Sequence, residues 1–174
     1  MQAAARQPLS GRATRRWATA AVRLLEAAFP YDSVELEFWP VCALLLPHAL
    51  AAAEHADRVQ ANPAATAWLL NQAGLYLWAR GELTAAHDAL ERSLVMDEAR
   101  LGPNHPSVAA SVTNLGMVLS DLGSPKAARD AYQRALTINQ ARLGPDHPNT
   151  ANSLNNLAMV LAALGESGQR TDGR

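Results

Sequence analysis

Three segments of the chain close on glycine at one fixed interval. They read AWLLNQAGLYLWARG (67–81), AASVTNLGMVLSDLG (109–123) and ANSLNNLAMVLAALG (151–165). Gly81, Gly123 and Gly165 are evenly spaced, with a period of 42 (123 − 81 and 165 − 123). The lead-ins to the second and third segments, LGPNHP (101–106) and LGPDHP (143–148), keep the same interval. A period of this size means that each unit presents the same face to its neighbour, so that stacked units share one continuous core. It constrains the fold more tightly than any local motif. On its own it takes function no further than a binding surface built from repeats.

The units are helical. Hydrophobic residues make up 49% of the 174-residue chain and aromatics only 5%, so the apolar mass is Ala and Leu, which favours helix over strand. The formal net charge of −1 gives no general attraction to nucleic acid or anionic lipid. One cysteine, Cys42, rules out an internal disulfide framework and fits a reducing compartment. The stretch 1–16 lacks the apolar segment of a secretory signal. The apolar run 40–53 contains Pro47 and His48 and reads as too short to span a bilayer. The expectation is a soluble, cytoplasmic, all-α protein with no nucleic-acid or membrane partner.

In chain order, 1–12 reads as a disordered lead and 13–57 as a divergent, cap-like helical pair. Trp17, Ala21, Leu24, Leu25 and Ala28 recur at three- and four-residue steps and define one apolar helical face. Pro30 ends that helix, 31–38 reads as a loop, and Pro40 opens a second helix to about Asp57, with a kink expected at Pro47. Trp39 lies one full period before Gly81, so the pair is a candidate degenerate first repeat. The arginines at 6, 12, 15, 16 and 23 read as a solvated helix start. A nucleic-acid arm would need more interleaved aromatics.

Residues 64–165 then hold two full repeats and a third that lacks its second helix. Helices are predicted over 64–79, 83–100, 107–122, 125–142 and 149–164. A left-handed glycine closes each first helix, and Asn104 or Asp146 stands near the next helix start as a cap. Residues 166–174 read as a disordered tail. With no second helix after them, Leu154, Leu157 and Leu161 face a partner the sequence does not supply, which predicts a homodimer through the last helix.

With the closing glycine set at position 15 of a 34-residue unit, the chain resembles a tetratricopeptide array. Position 4 is Leu70, Val112 and Leu154, and positions 7 and 8 are Ala73-Gly74, Leu115-Gly116 and Leu157-Ala158. Position 11 is Leu77, Leu119 and Leu161, position 20 is Ala86 and Ala128, position 24 is Leu90 and Tyr132, and position 27 is Ser93 and Ala135. The longer unit, with its period of 42 and its LGPDHP and NNLA runs, is similar to the kinesin light chain variety. The segment before it (RRWATAAVRLLEAAFP, then WP and CALLLPHALAAAEHA) resembles the repeat-bearing end of actinobacterial STAND regulatory ATPases. A Walker A motif is missing, so that resemblance carries over no ATPase activity. What the resemblances imply is a non-catalytic protein–protein interaction module, with the sensor or regulatory end of such an ATPase, as a fragment or in trans, as the alternative.

Side-chain chemistry adds one constellation. His48 and His55 are two turns apart, where zinc favours i and i+4. His105 and His147 sit in equivalent loops of different units, about 8–10 Å apart or more, whereas each ligand of one zinc lies about 2 Å from it. Hydrogen bonds that order the loops are expected instead, with no metal and no cofactor. Cys42 has no basic neighbour and reads as a core thiol, and Asp97-Glu98 as surface charge. No residues support an enzyme.

The repeating polar positions are Asn71, Thr113 and Asn155 at position 5 and Gln72, Asn114 and Asn156 at position 6, with Asn152 at position 2 of the third unit. In tetratricopeptide proteins these positions line the inner groove. Asn is a poor helix former, and an amide offers donor and acceptor together, which suits an extended peptide backbone. The competing reading is that these amides brace neighbouring helices. Leu75, Met117 and Met159 stand beside them, either as core or as an adaptable apolar surface. With no Lys or Arg at positions 2, 5, 6 or 9, an acidic C-terminal tail is not the expected ligand.

Overall fold

The computed structural model describes residues 10–171, with side chains through residue 165. Seven α-helices follow one another with no strand among the described residues: α1 Gly11–Ala28, α2 Trp39–Arg58, α3 Pro63–Ala79, α4 Leu83–Leu101, α5 Pro106–Asp121, α6 Pro125–Leu143 and α7 Pro148–Thr171. Consecutive helices pack as antiparallel neighbours, and α1 and α5 also touch α3. From α3 to α6 the helices match the sequence expectation to within a residue or so at each end. The fold is all-α, a succession of packed helix pairs.

The two complete repeats turn in the same way. Gly81 and Gly123 take φ of 76° and 73°, the left-handed region where a Cβ is penalised. Gly81 N donates to Trp78 O at 2.8 Å and Glu82 N to Leu77 O at 2.9 Å; Gly123 N and Ser124 N repeat the pattern on Ser120 O and Leu119 O at 3.0 and 2.9 Å. These paired bonds form a Schellman cap, which satisfies carbonyls that the helix end would otherwise orphan. Gly165 behaves differently. It lies inside α7, which runs on to Thr171, so the expected end at Leu164 and an unstructured tail from 166 do not hold for 166–171. Residues 172–174, like the expected lead over 1–9, lie outside the described residues. A glycine permits the left-handed turn but does not impose it. At Gly81 and Gly123 a second helix packs back on the first, and no further helix follows α7 among the described residues.

The starts of α5 and α7 depend on histidine. Nδ1 of His105 accepts from Ser107 N, and Nδ1 of His147 from Asn149 N, each at 3.1 Å. The caps therefore fall one residue after Asn104 and Asp146, where the sequence placed them, because Pro106 and Pro148 occupy the first helical position and bring histidine to the N-cap. Ser10 caps α1 by accepting from Ala13 N, so that helix starts at Gly11 rather than Ala13.

Packing explains the small residues at position 8. A Cβ built on Gly74 would stand 2.6 Å from Leu90 Cγ, and one on Gly116 would stand 2.8 Å from Tyr132 Cε1. The first helix of each unit is thus drawn close against position 24 of the second. In the third unit no described residue packs on position 8 from a second helix, and Ala158 there is exposed.

The N-terminal pair keeps half of the period. Helix α2 starts near the repeat register, but α1 lies farther ahead of α3 than one period allows, as their starts at Gly11 and Pro63 show. The connection between α1 and α2 takes up the excess and holds a 3₁₀ turn at Leu36–Phe38. The buried side of α1 is Ala18 and Val22, with Leu25 and Phe29 beside them in the core. The expected face of Trp17, Ala21, Leu24 and Ala28 is exposed. That is a correction with a plain cause: two apolar stripes lie side by side on α1, and α2 and α3 cover only one. Over Leu36–Arg58 the chain is long and apolar enough to cross a membrane by length and composition, with mean hydropathy 1.5, so the shorter 40–53 estimate understated it. In the structure α2 packs against α1 and α3 and buries Cys42, Ala49, Ala53 and Ala56.

Candidate functional site

The amides at positions 5 and 6 form a ladder across helices. Asn114 Nδ2 donates to Asn71 Oδ1 at 2.9 Å, and Asn71 Nδ2 donates to Gln72 Oε1 at 3.1 Å. Gln72 Nε2 in turn donates to the carbonyls of Pro30 and Tyr31. Ser33 Oγ donates to the Gln72 carbonyl at 3.1 Å, and both Gln72 and Ser33 are buried. Gln72 is therefore the joint that fastens the α1–α2 connection onto α3, and it is not presented on an open face. Amides linked in one direction polarise one another, and the open end of this ladder is Asn114 Oδ1, which accepts no hydrogen bond among the described residues.

Asn114 also borders a concavity. Asn114, Thr113 and Ala110 of α5, Asn139 of α6, and Asn149, Asn152 and Ser153 of α7 line a polar pocket of about 160 Å³, with Pro106 at its edge. Thr113 Oγ1 is occupied by the Ala109 carbonyl at 2.8 Å. Asn152 is exposed and its amide has no protein partner among the described residues. The pocket thus joins three of the sequence-predicted residues, Thr113, Asn114 and Asn152. Asn71 and Gln72 sit at the other end of the ladder. Asn155 is exposed, with Nδ2 3.7 Å from Met159 Sδ; Asn156 is half-buried. Met159 is exposed, while Leu75 and Met117 are half-buried.

A second polar series escaped the sequence reading. Asp97 Oδ2 accepts from Ser111 Oγ at 3.1 Å. One period further along, Asn139 Nδ2 donates to Ser153 Oγ at 3.0 Å and to the Asn149 carbonyl at 3.3 Å. Each pair ties the second helix of one unit to the first helix of the next. The signal was available, since 97 and 139, and 111 and 153, share the repeat interval. With Asn in place of Asp the tie reverses direction, and Asn139 Oδ1 is left buried without a partner. Asp97 also pairs with Arg100 at 2.9 Å, and Glu98 accepts from Arg134 of the following unit. These acids do more than decorate a surface.

The remaining candidates have structural roles. His105 and His147 are the caps described above. Cys42 is fully buried and burial pushes its thiol pKa up, the opposite of what a nucleophile needs. Burial likewise raises the Tyr132 phenol, with a further contribution from the nearby Asp121 carboxylate.

The tetratricopeptide repeat family model matches residues 64–141 and 110–169. Among solved structures the chain is similar to BtubC (BKLC) from P. vanneervenii, with TM-score 0.61 and 17% identity over 90% of this chain and 67% of that one. It is also similar to a putative kinesin light chain of nearly identical TPR-like repeats from Podosopora anserina, with TM-score 0.63 and 16% identity over 91% and 68%. A point variant of such a Podosopora anserina protein gives TM-score 0.56 and 19% identity over 93% and 88%. At these identities the likeness speaks for the fold. The curated proteins contain no match.

Proposed function

The chain belongs to the tetratricopeptide repeat family, and we propose that it is a non-catalytic interaction module that binds an extended peptide along the first helices of its second and third repeats. Repeats of this family serve generally as protein–protein interaction modules. One observation carries the location. Asn114 Oδ1 and the Asn152 amide have no protein partner among the described residues and share one pocket, whereas the Asn71 and Gln72 amides are occupied internally. Asn114 accepts from a ligand N–H and Asn152 bonds the adjacent peptide unit, with Met117 and Met159 taking apolar side chains. Asn155, Asn156, Thr113 and Leu75 border this path.

Extended peptides selected on the immobilised protein supply the test. A typical net hydrogen bond is worth about 0.5–1.5 kcal/mol, so Asn152→Ala weakens binding roughly three- to tenfold and leaves the urea midpoint unchanged. Asn71→Ala, which breaks the ladder, lowers stability by about 1 kcal/mol and alters affinity less. If selected peptides bind wild type and Asn152→Ala alike, the groove reading is lost.

Self-association through α7 belongs to the same proposal. Leu157 and Val160 are covered by α6, but Leu154 and Leu161 are each 47% exposed. Light scattering over a concentration series sees the dimer, and Leu161→Glu dissolves it. A strictly monomeric wild type at high micromolar concentration counts against it.

A further inference from the structure

The stripe of α1 that faces away from the core carries an unusual pairing of residues. Trp17 is 67% and Leu24 71% exposed, although burying large apolar side chains is favourable. At 100° per residue, Trp17, Ala21, Leu24 and Ala28 form one stripe, and Arg12, Arg16 and Arg23 another about a third of a turn away. Ala20 and Ala27 lie between the two. All three arginines are exposed, and no described residue pairs with them. The one acid on the helix, Glu26, makes no ion pair with them either. This is a local positive charge on a chain whose net charge is −1.

We infer that this face of α1 is a docking site for an acidic amphipathic helix of a partner protein. An occupant must cover an apolar stripe and neutralise a basic one along the same helix length, which is the pattern of a helix with leucine-type residues beside glutamates or aspartates. The alanines between the stripes let a second helix approach to normal packing distance, about 8–10 Å. A flat anionic surface, whether bilayer or nucleic acid, fits less well. Exposed Asp32, Glu35 and Glu37 follow directly after the helix and would be repelled by it, whereas a partner helix can end before reaching them. The face is on the first helix of the stack, away from the pocket of α5 and α7, and its use is independent of the groove.

A synthetic amphipathic helix with leucines on one face and glutamates beside them is the probe, its glutamate-to-lysine counterpart the control, and fluorescence anisotropy with the full chain the readout. The glutamate peptide binds more tightly than the lysine peptide, and the difference shrinks with salt. Arg16→Glu combined with Arg23→Glu weakens it about tenfold or more, Trp17→Ala weakens it several-fold, and Asn152→Ala leaves it unchanged. All three α1 residues are exposed, and unchanged far-ultraviolet circular dichroism establishes that the variants fold. Equal binding of the two peptides overturns the inference, as does insensitivity to the charge reversal. Binding to phosphatidylserine vesicles or to a short RNA with none to the peptide also overturns it. Loss of binding in Asn152→Ala alone would place the probe in the groove and overturn it as well.

Discussion

Helices α1 and α5 are both amphipathic and of similar length, yet their sequences predict burial very differently. In α5 the repeat positions Val112 and Val118 are buried, Gly116 meets Tyr132, and the exposed residues fall where the period puts them. In α1 Trp17 and Leu24 are outside while Ala18 and Val22 are inside, with Leu25 half-buried beside them. The difference lies in the neighbours. α5 is enclosed by α4 and α6 and touches α3, whereas α1 has α2 and α3 on one side only. In a stacked array each helix is half-specified by the unit before it, and among the described residues no such unit packs on the outer side of α1.

The strongest way to break this comparison is to truncate an aromatic in each region. Tyr132 is 7% exposed and fills the space left by Gly116. Tyr132→Ala should cost about 3–5 kcal/mol, read as the change in urea unfolding free energy. Trp17 has the larger ring, yet Trp17→Ala should stay within about 0.5 kcal/mol, because most of the ring is already in water. Equal losses would mean that α1 is as enclosed as the repeats.

Opposite substitutions at one repeat position sharpen it further. Gly74→Ala places a methyl 2.6 Å from Leu90 Cγ and 3.3 Å from the Ala86 carbonyl. Overpacking of this kind costs about 1–3 kcal/mol, against a helix-propensity gain of about 1 kcal/mol. The expected net is a loss. At the same position of the third unit Ala158 faces no second helix among the described residues, and Ala158→Gly costs about 0.5–1 kcal/mol through propensity alone. The larger residue should thus destabilise the interior unit and the smaller one the end unit. A stabilising Gly74→Ala would refute the close approach of α3 and α4.

How much of this was legible follows the same line. The repeat interval placed α3 through α6 nearly residue for residue, because helix period, closing glycine and proline start agree at every level there. The face of α1 was not legible, since two apolar stripes compete on it and only the neighbouring helices decide. Gly165 was misread for a related reason: it matches Gly81 and Gly123 in sequence, but the turn needs a helix to return. The amides were legible as a set and not one by one. Gln72 fastens the N-terminal connection, Asn71 links the ladder, and Asn114 leaves one oxygen open. An amide carries both donor and acceptor, so nothing in its identity tells which use prevails. Asn139 and Ser153 shared the interval and were overlooked because their first-unit counterpart is the acid Asp97.

The smallest expected difference separates two equal caps. His105 and His147 each accept from the backbone N–H two residues on, at 3.1 Å, so the local geometry gives them the same worth, about 0.5–2 kcal/mol on replacement by alanine. Their helices are placed differently. α5 is enclosed on both sides, and opening its first turn means separating it from α4 and α6; α7 packs chiefly on α6. Stability in stacked repeats is a sum of unit terms and interface terms, and an end helix can open without the rest. His105→Ala should therefore lower the global unfolding free energy by about 1 kcal/mol. His147→Ala should leave the global value nearly unchanged and speed amide exchange in the first turn of α7, around Thr150 and Ala151. Hydrogen exchange and urea unfolding on the two variants separate these outcomes. An equal global loss from both would mean that α7 unfolds together with the interior units and is not a free end.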